Sequence, residues 1–255
     1  MNASNRIAPC AESHSGWQLR CSIAQTPQER DEVYKLRHEA YRRDGAIDRQ
    51  PGDRFSDRFD SLPNSFSLVL RRNDTAPKAT VRISVLRPDL GWTEAPSRHV
   101  FGEHPALEAM ANESYVEASR LCFGPQARRD VFVNLLGHLA ALSDVFDTKW
   151  LVACPRVEHA HVYKSLFGFR QLAEPRQYYG VHFQTELLGI GREEIREHVR
   201  HQKRMLTAWS DGLEHLRRLF AFASAAGPSG EATSSSSVEF GTSTQPPVFG
   251  RLSTC

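Results

Sequence analysis

The chain predicts an α/β fold, a mixed and mostly antiparallel twisted sheet with helices on both faces. Two observations predict it. Segments of strand period and segments of helical period interleave in the order β, α, β, β, β, α, β, α, β, β. No internal repeat divides the stretch between Trp17 and Phe222, so one continuous domain supplies the core.

The first strand is WQLRCSIA, residues 17–24, where Trp17, Leu19, Cys21 and Ile23 alternate with polar residues. A helix follows at once. Thr26 at the N-cap, Pro27 at the first helical position and Glu29 at the third form a capping box, and the helix is expected to run to about Arg42. Gly45, Pro51 and Gly52 break it, leaving a polar loop over 44–64 that carries Asp48, Asp53, Asp57 and Asp60. SFSLVLRR (65–72) and KATVRISVLR (78–87), joined by NDTAP, read as an antiparallel hairpin. A short helix is expected near Pro105–Met110, then a strand over 113–123. The helix from about Arg128 to Phe146 lines Phe132, Leu135, Leu136, Leu139 and Leu142 along one face. WLVAC (150–154) suits a central strand, and EHAHVYKSLFGF gives a short helix ending at Gly168. Strands at 169–173 and 178–188 complete the order.

Residues 1–16 and 223–255 are polar and without periodicity, and read as disordered tails around a domain over 17–190. Between them, 191–222 is a basic amphipathic extension with Ile195, Val199, Leu206, Trp209, Leu213, Leu216 and Phe220 at near-helical spacing, broken at Asp211-Gly212. Docking on the domain's own core, peripheral contact with a membrane surface and packing on a second subunit are its three readings.

With 40% hydrophobic and 24% charged residues the composition is that of a globular protein. A formal charge of +2 gives no reason to invoke nucleic acid. The five cysteines are odd in number and unpaired in spacing, which supports neither a disulfide framework nor zinc. No signal-like leader is apparent, and no stretch reaches the roughly 18 to 20 apolar residues that span a bilayer. The setting read from these features is a reducing cytoplasm. His159 and His161 form an HxH pair in a predicted helix, where i and i+2 residues point apart, so no metal site is expected. Cys122 and Cys154 read as small buried hydrophobes.

Four short motifs fall in order along the chain: Arg37 and Tyr41 in LRHEAY, Asp57 and Asp60 in FSDRFD, Arg82 in TVRIS, and Glu117, Ser119 and Arg120 in VEASRLCF. Behind them the strand–helix–strand–helix stretch ends in VYKSLFGF. This series resembles the acyl-homoserine-lactone (autoinducer) synthases and the FeeM-like N-acyl amino acid synthases, and the tail resembles the second half of the GNAT acyltransferase fold. The resemblance spans roughly residues 30–190. It implies a GNAT-like domain in which an acyl-4′-phosphopantetheine thioester, on acyl carrier protein or coenzyme A, donates a fatty acyl group to a small-molecule amine, with no tightly bound cofactor. The loop RRDGAIDRQPGDRF lacks the tryptophan with which autoinducer synthases enclose S-adenosylmethionine, so the likeness favours N-acyl amino acid synthases.

An amine attacks a thioester only when neutral, so a base is needed, and Glu117 is the candidate. Its plainer alternative is an ion pair with an arginine such as Arg82. Strand alternation puts Glu117 on one face with Tyr115, Ser119 and Leu121, and Arg120 on the other with Ala118 and Cys122. Arg82 and Arg120 would position carboxylate or carbonyl groups. Arg37 lies among Val33, Leu36, Ala40 and Tyr41 and needs carboxylate partners, which Asp57 and Asp60 can supply unless they contact the acceptor amine directly. The turn FGPQARRD lacks the glycine-rich pyrophosphate cradle of coenzyme A users, which points to a carrier protein meeting Arg128, Arg129, Arg156 and Lys164. The same arginines suit a solvated face. Other readings are an acyl-homoserine-lactone synthase, an acyl-CoA-dependent GNAT acyltransferase, and a non-catalytic acyl-carrier or lipid-binding module.

Overall fold

The computed structural model describes residues 19–49, 51–72, 76–110, 112–125, 129–178 and 180–225. Its sheet has seven strands in the order β1-β2-β3-β4-β5-β7-β6, formed by Leu19–Ile23, Ser65–Arg72, Ala79–Leu86, Tyr115–Phe123, Trp150–Ala153, Gln184–Gly191 (β7) and Arg170–Gln177 (β6). Every neighbouring pair is antiparallel except β4 and β5. The expected hairpin is β2–β3.

Helices α1 (Pro27–Arg43), α2 (Pro96–Phe101) and α3 (Pro105–Ala109) cover one face, and α4 (Arg129–Val145), α5 (Val157–Phe167), α6 (Arg192–Arg200) and α7 (Lys203–Ala225) the other. The capping box at the start of α1 is present: the Glu29 N–H donates to Thr26 Oγ1 at 3.2 Å, and the Thr26 N–H donates to Glu29 Oε2 at 2.9 Å. Gly168 ends α5 with a φ of 71°, a left-handed conformation that suits glycine. The main apolar core joins Val81, Ile83, Val85, Val116, Ala118 and Leu151 of the sheet to Leu135, Leu136, Leu139 and Leu142 of α4.

Several sequence expectations need correction. The helix α2 was not anticipated, because six residues carry no measurable period. Residues 178 and 180–183 are not strand, β7 begins only at Gln184, and β6 runs on to Gln177. β6 is an edge strand whose register shifts on either side of Ala173 and before Arg176, which is how it accommodates Pro175. The C-terminal extension is broken at His201-Gln202 rather than at Asp211-Gly212. Gly212 stays helical because α7 presses on α4: a Cβ there would lie 2.9 Å from His138, and one at Gly137 would lie 2.6 Å from Ala208. Most of the apolar stripe therefore packs on the domain itself: Ile195, Val199 and Leu216 are buried in the main core, joined by Met205, and Trp209, Leu213 and Phe220 are partly buried against it, whereas Leu206 is exposed. Among the described residues no helix is long and apolar enough to cross a membrane. Trp17 and the N-terminal tail lie outside the described residues, as does the C-terminal tail from 226 onward.

Candidate active site

β4 and β5 pair in parallel only from Tyr115–Ala118 to Trp150–Ala153. Beyond that, Ser119–Phe123 of β4 pairs with no strand on that side among the described residues, and Cys154-Pro155 turns toward β7, where the Glu186 N–H donates to the Pro155 carbonyl at 3.1 Å. The strands thus splay. A cavity of about 360 Å³ fills the opening, walled by Ala118–Phe123 on one side and Ala153–Arg156 on the other, with Phe132, Val162, Tyr163 and Phe183 supplying apolar surface.

On the α1–α3 face an ionic cluster is built around Asp57. This residue caps the 3-10 turn Arg58–Ser61: its Oδ1 accepts the Phe59 N–H at 3.0 Å, while Asp60 Oδ2 accepts the Asp57 N–H at 2.9 Å. A D-x-x-D pair therefore locks its own loop, and the remaining oxygen positions face the arginines. Arg82 Nη1 donates to Asp57 Oδ1 at 2.5 Å and Arg120 Nη2 to Asp57 Oδ2 at 2.8 Å. Arg37 Nη1 donates to Asp60 Oδ1 at 2.7 Å and Nη2 to Ser67 Oγ at 2.8 Å. Arg82 Nε donates to Ser119 Oγ at 3.1 Å. All three arginines are buried, and pairing of this kind is what makes burial tolerable. Burial pushes the Asp57 carboxyl up, but Arg82 and Arg120 outweigh it and hold its pKa below the usual carboxylate range. Arg120 is further enclosed by aromatic faces, its guanidinium 4.6 Å from the Phe55 centroid, 5.2 Å from Tyr178 and 5.8 Å from Tyr41.

Arg120 thus reaches the same carboxylate as Arg82, on the face where alternation puts Glu117 and Ser119. The expected opposite placement is overturned by a β-bulge. Arg82 pairs with Ser119 and Thr80 with Cys122, so Arg120 and Leu121 oppose Val81 alone, and Arg120 takes a φ of 54°. The bulge also exchanges the next two residues: Leu121 turns to the main core, and Cys122 packs on Leu36 and Ala40 of α1.

Glu117 is fully buried, and the expected alternative of an ion pair with Arg82 is not what forms. Instead both carboxylate oxygens accept the backbone N–H of Ser97, at 3.2 and 3.0 Å, at the N-terminus of α2. Burial pushes its pKa up, and the Ser97 hydrogen bonds and Arg82 offset this only in part. Tyr115 lies alongside, its hydroxyl 3.1 Å from Ser97 Oγ.

The remaining predicted residues lie around the splay. Tyr41 lines the cavity, edge-on to Phe55 and stacked at 6.2 Å on Phe183. Arg156 lines its rim with the guanidinium 4.7 Å from the Phe183 centroid and Nε 3.4 Å from Glu158. Lys164 is engaged by Glu186 at 2.5 Å and Gln171 at 2.9 Å, away from the cavity. Arg128 lies outside the described residues, as does the Arg129 side chain. His159 lines the cavity while His161 Nδ1 sits 2.9 Å from the Glu158 carbonyl, so the HxH pair diverges. Cys122 is buried in β4, but Cys154 falls one residue beyond β5 and also lines the cavity.

Sequence reasoning missed Ser97, Phe55, Phe183 and Tyr178. Pro96 was a usable signal for the first, since proline favours the opening position of a helix. Tyr178 was hidden by its assignment to a strand.

Many solved structures resemble this chain, among them three synthases that share its fold. The N-acyl amino acid synthase FeeM from uncultured soil microbes superposes with a TM-score of 0.59 at 17% identity, covering 72% of this chain and 96% of that one. The acyl-homoserine-lactone synthase LasI follows with 0.54 at 16% identity, covering 69% and 91%. The CoA-dependent acyl-homoserine lactone synthase BjaI gives 0.51 at 13% identity, covering 76% and 99%. No curated protein matches the chain. The family model described as N-acyl amino acid synthase FeeM matches residues 32–190, a span that holds the splay, the Asp57 cluster and Glu117. The chain belongs to the FeeM family of N-acyl amino acid synthases and is an N-acyltransferase of the GNAT-like fold.

Proposed function

We propose that the protein transfers a fatty acyl group from acyl carrier protein to the α-amine of an amino acid, working in the cytoplasm. One observation carries the reading: a buried carboxylate with a raised pKa, Glu117, stands beside an arginine–aspartate cluster at the point where β4 and β5 part.

The acyl thioester enters the splay, where the main chain of Ser119–Cys122, which pairs with no strand on that side among the described residues, is available to its pantetheine amides and the apolar wall of Phe132, Val162 and Phe183 receives the hydrocarbon. Glu117 accepts a proton from the acceptor's ammonium group, directly or through water, and its raised pKa brings it closer to working pH than an ordinary carboxylate. The neutral nitrogen then attacks the thioester carbonyl. A C–N bond forms, the C–S bond breaks, the carrier leaves as its thiol, and the balance is one amide, one thiol and one proton. Arg82 and Arg120 hold carboxylate or carbonyl groups. Asp57 and Asp60 organise these arginines, each of their four oxygens accepting a hydrogen bond from a guanidinium or from their own loop. The turn after β4 has Pro125 following a single Gly124 and lacks a glycine-rich cradle, which favours a carrier protein over coenzyme A. Arg156 at the cavity rim, with Arg128, Arg129 and Lys164, is the proposed carrier contact.

The test is mass spectrometry of lipid extracts from cells overproducing the protein or its Glu117→Gln variant. New N-acyl amino acids are expected only with the parent protein, and matching extracts would defeat the assignment. Turnover of purified enzyme on acyl carrier protein against acyl-CoA decides the donor.

A further inference from the structure

Among the buried polar atoms around this site that meet no partner among the described residues are two donors next to Glu117's charge, on Arg82 and Tyr178. Arg82 is fully buried and uses Nη1 and Nε on Asp57 and Ser119, yet its Nη2 meets no acceptor among the described residues. Tyr178 is 4% exposed, and its hydroxyl likewise meets no acceptor. Buried polar atoms are paired in the great majority of cases, so two orphaned donors in one place call for an acceptor from outside the chain.

The two are neighbours. The Tyr178 ring lies 5.2 Å from the Arg120 guanidinium, which shares Asp57 with Arg82, and the phenol feels the charges of Glu117, Arg82 and Arg120. Burial pushes the Tyr178 pKa well above the ordinary phenol value, so the hydroxyl keeps its proton and remains a donor. Tyr178 also lines a second cleft of about 610 Å³, walled by Ile47 and Asp48 after α1, His99 and Val100 of α2, and the β6–β7 connection. That cleft is separate from the splay cavity, whose lining does not include Tyr178. Tyr178 thus borders this cleft while its phenol feels the charge of Glu117.

Resting on the function proposed above, we propose that Tyr178 Oη and Arg82 Nη2 form a two-donor clamp for the carboxylate of the acceptor amino acid, holding its α-amine toward Glu117. A carboxylate has two oxygens and no donors, and it satisfies both orphans at once. Amines without a carboxylate leave both donors buried and unpaired, which is the strongest form of rejection available to a polar site. The clamp therefore makes the enzyme specific for amino acids over simple amines, and Tyr178 is a substrate-binding residue.

The experiment uses the full-length enzyme with a long-chain acyl thioester. The protein amino acids are screened as acceptors, and the best one is then compared with its decarboxylated amine, in the parent and in Tyr178→Phe. Tyr178→Phe removes only an unpartnered hydroxyl, so it should melt at the parent's temperature or above. KM for the amino acid should rise roughly 10- to 100-fold, as for loss of a hydrogen bond to a charged group. The kcat and the KM for the thioester should hold, and the decarboxylated amine should be used equally poorly by both proteins. An unchanged KM for the amino acid, an equal loss with the decarboxylated amine, or a drop in melting temperature each overturns the clamp. If the parent instead acylates amines but no amino acid, the function proposed above fails and takes the clamp with it, a result read without the variant.

Discussion

Glu117 and Ser97 meet through one backbone N–H that both carboxylate oxygens share, at 3.2 and 3.0 Å, and that contact joins the middle of β4 to the start of α2. A charge held by one amide dipole in a fully buried position stays reluctant to ionise. Glu117→Gln keeps an acceptor for Ser97 but has no base, so turnover should fall by at least about 100-fold. Steady-state rates on purified protein check this.

The same residue sets a pH dependence. Activity needs ionised Glu117, so the acid limb of the rate profile should lie above the ordinary carboxylate value and vanish in Glu117→Gln. Stability runs the other way. A carboxyl whose pKa is higher folded than unfolded keeps its proton longer in the native state, so stability falls as pH rises from the unfolded value through the folded one. The melting temperature of Glu117→Gln should therefore gain on the parent across that window and hold its lead above it. A constant difference across pH counts against a raised Glu117 pKa.

Asp57 gives the opposite sign. Its pKa is held down, so its contribution is in place above the unfolded value and is lost as pH falls through the folded one. Asp57→Asn leaves Arg82 and Arg120 without their shared charge and should cost about 3 to 5 kcal/mol. Denaturant unfolding of the two proteins at neutral pH measures it, and the gap should narrow in acid.

Gly137 tests the helix packing. Alanine ordinarily improves a helix interior by about 1 kcal/mol. Here its Cβ would sit 2.6 Å from Ala208 and 2.8 Å from the Met205 carbonyl, so Gly137→Ala should destabilise by about 1 to 3 kcal/mol. A stabilised variant would mean that α7 does not rest on α4 in this way.

Val162 faces the splay cavity from α5. Val162→Trp should shorten the longest acyl chain accepted without lowering kcat on short ones, because it fills apolar volume away from Glu117. A panel of acyl thioesters of increasing length reads this out, and an unshifted profile would argue that the hydrocarbon lies elsewhere.

What was legible in the chain was local. Thr26, Pro27 and Glu29 act within one turn, so their capping box could be read directly, and the hairpin strands, the α4 stripe and the Gly168 stop announce themselves in the same way. The motif residues Arg37, Asp57, Asp60, Arg82 and Glu117 were found, and the structure brings them to one face of the sheet. What escaped depends on partners far along the chain. The side taken by Arg120 is set by how β4 registers on β3, and the continuity of α7 at Gly212 by the approach of His138. The Ser97 contact needs α2, whose one and a half turns leave too little pattern to see.

Arg120 also divides its strand into two parities. Before it, odd-numbered side chains face the ionic chamber; after it, even-numbered ones take the α1 side, so Leu121 is kept out of a polar enclosure that simple alternation would assign to it. Deleting one residue between Ala118 and Leu121 would straighten the strand and leave the chamber with either Ser119 or Arg120, not both, so that Arg82 loses its hydroxyl partner or Asp57 its second arginine. The length of this short segment is therefore as much a part of the chemistry as any side chain in it, and related sequences that gain or lose a residue here should differ in what they can catalyse.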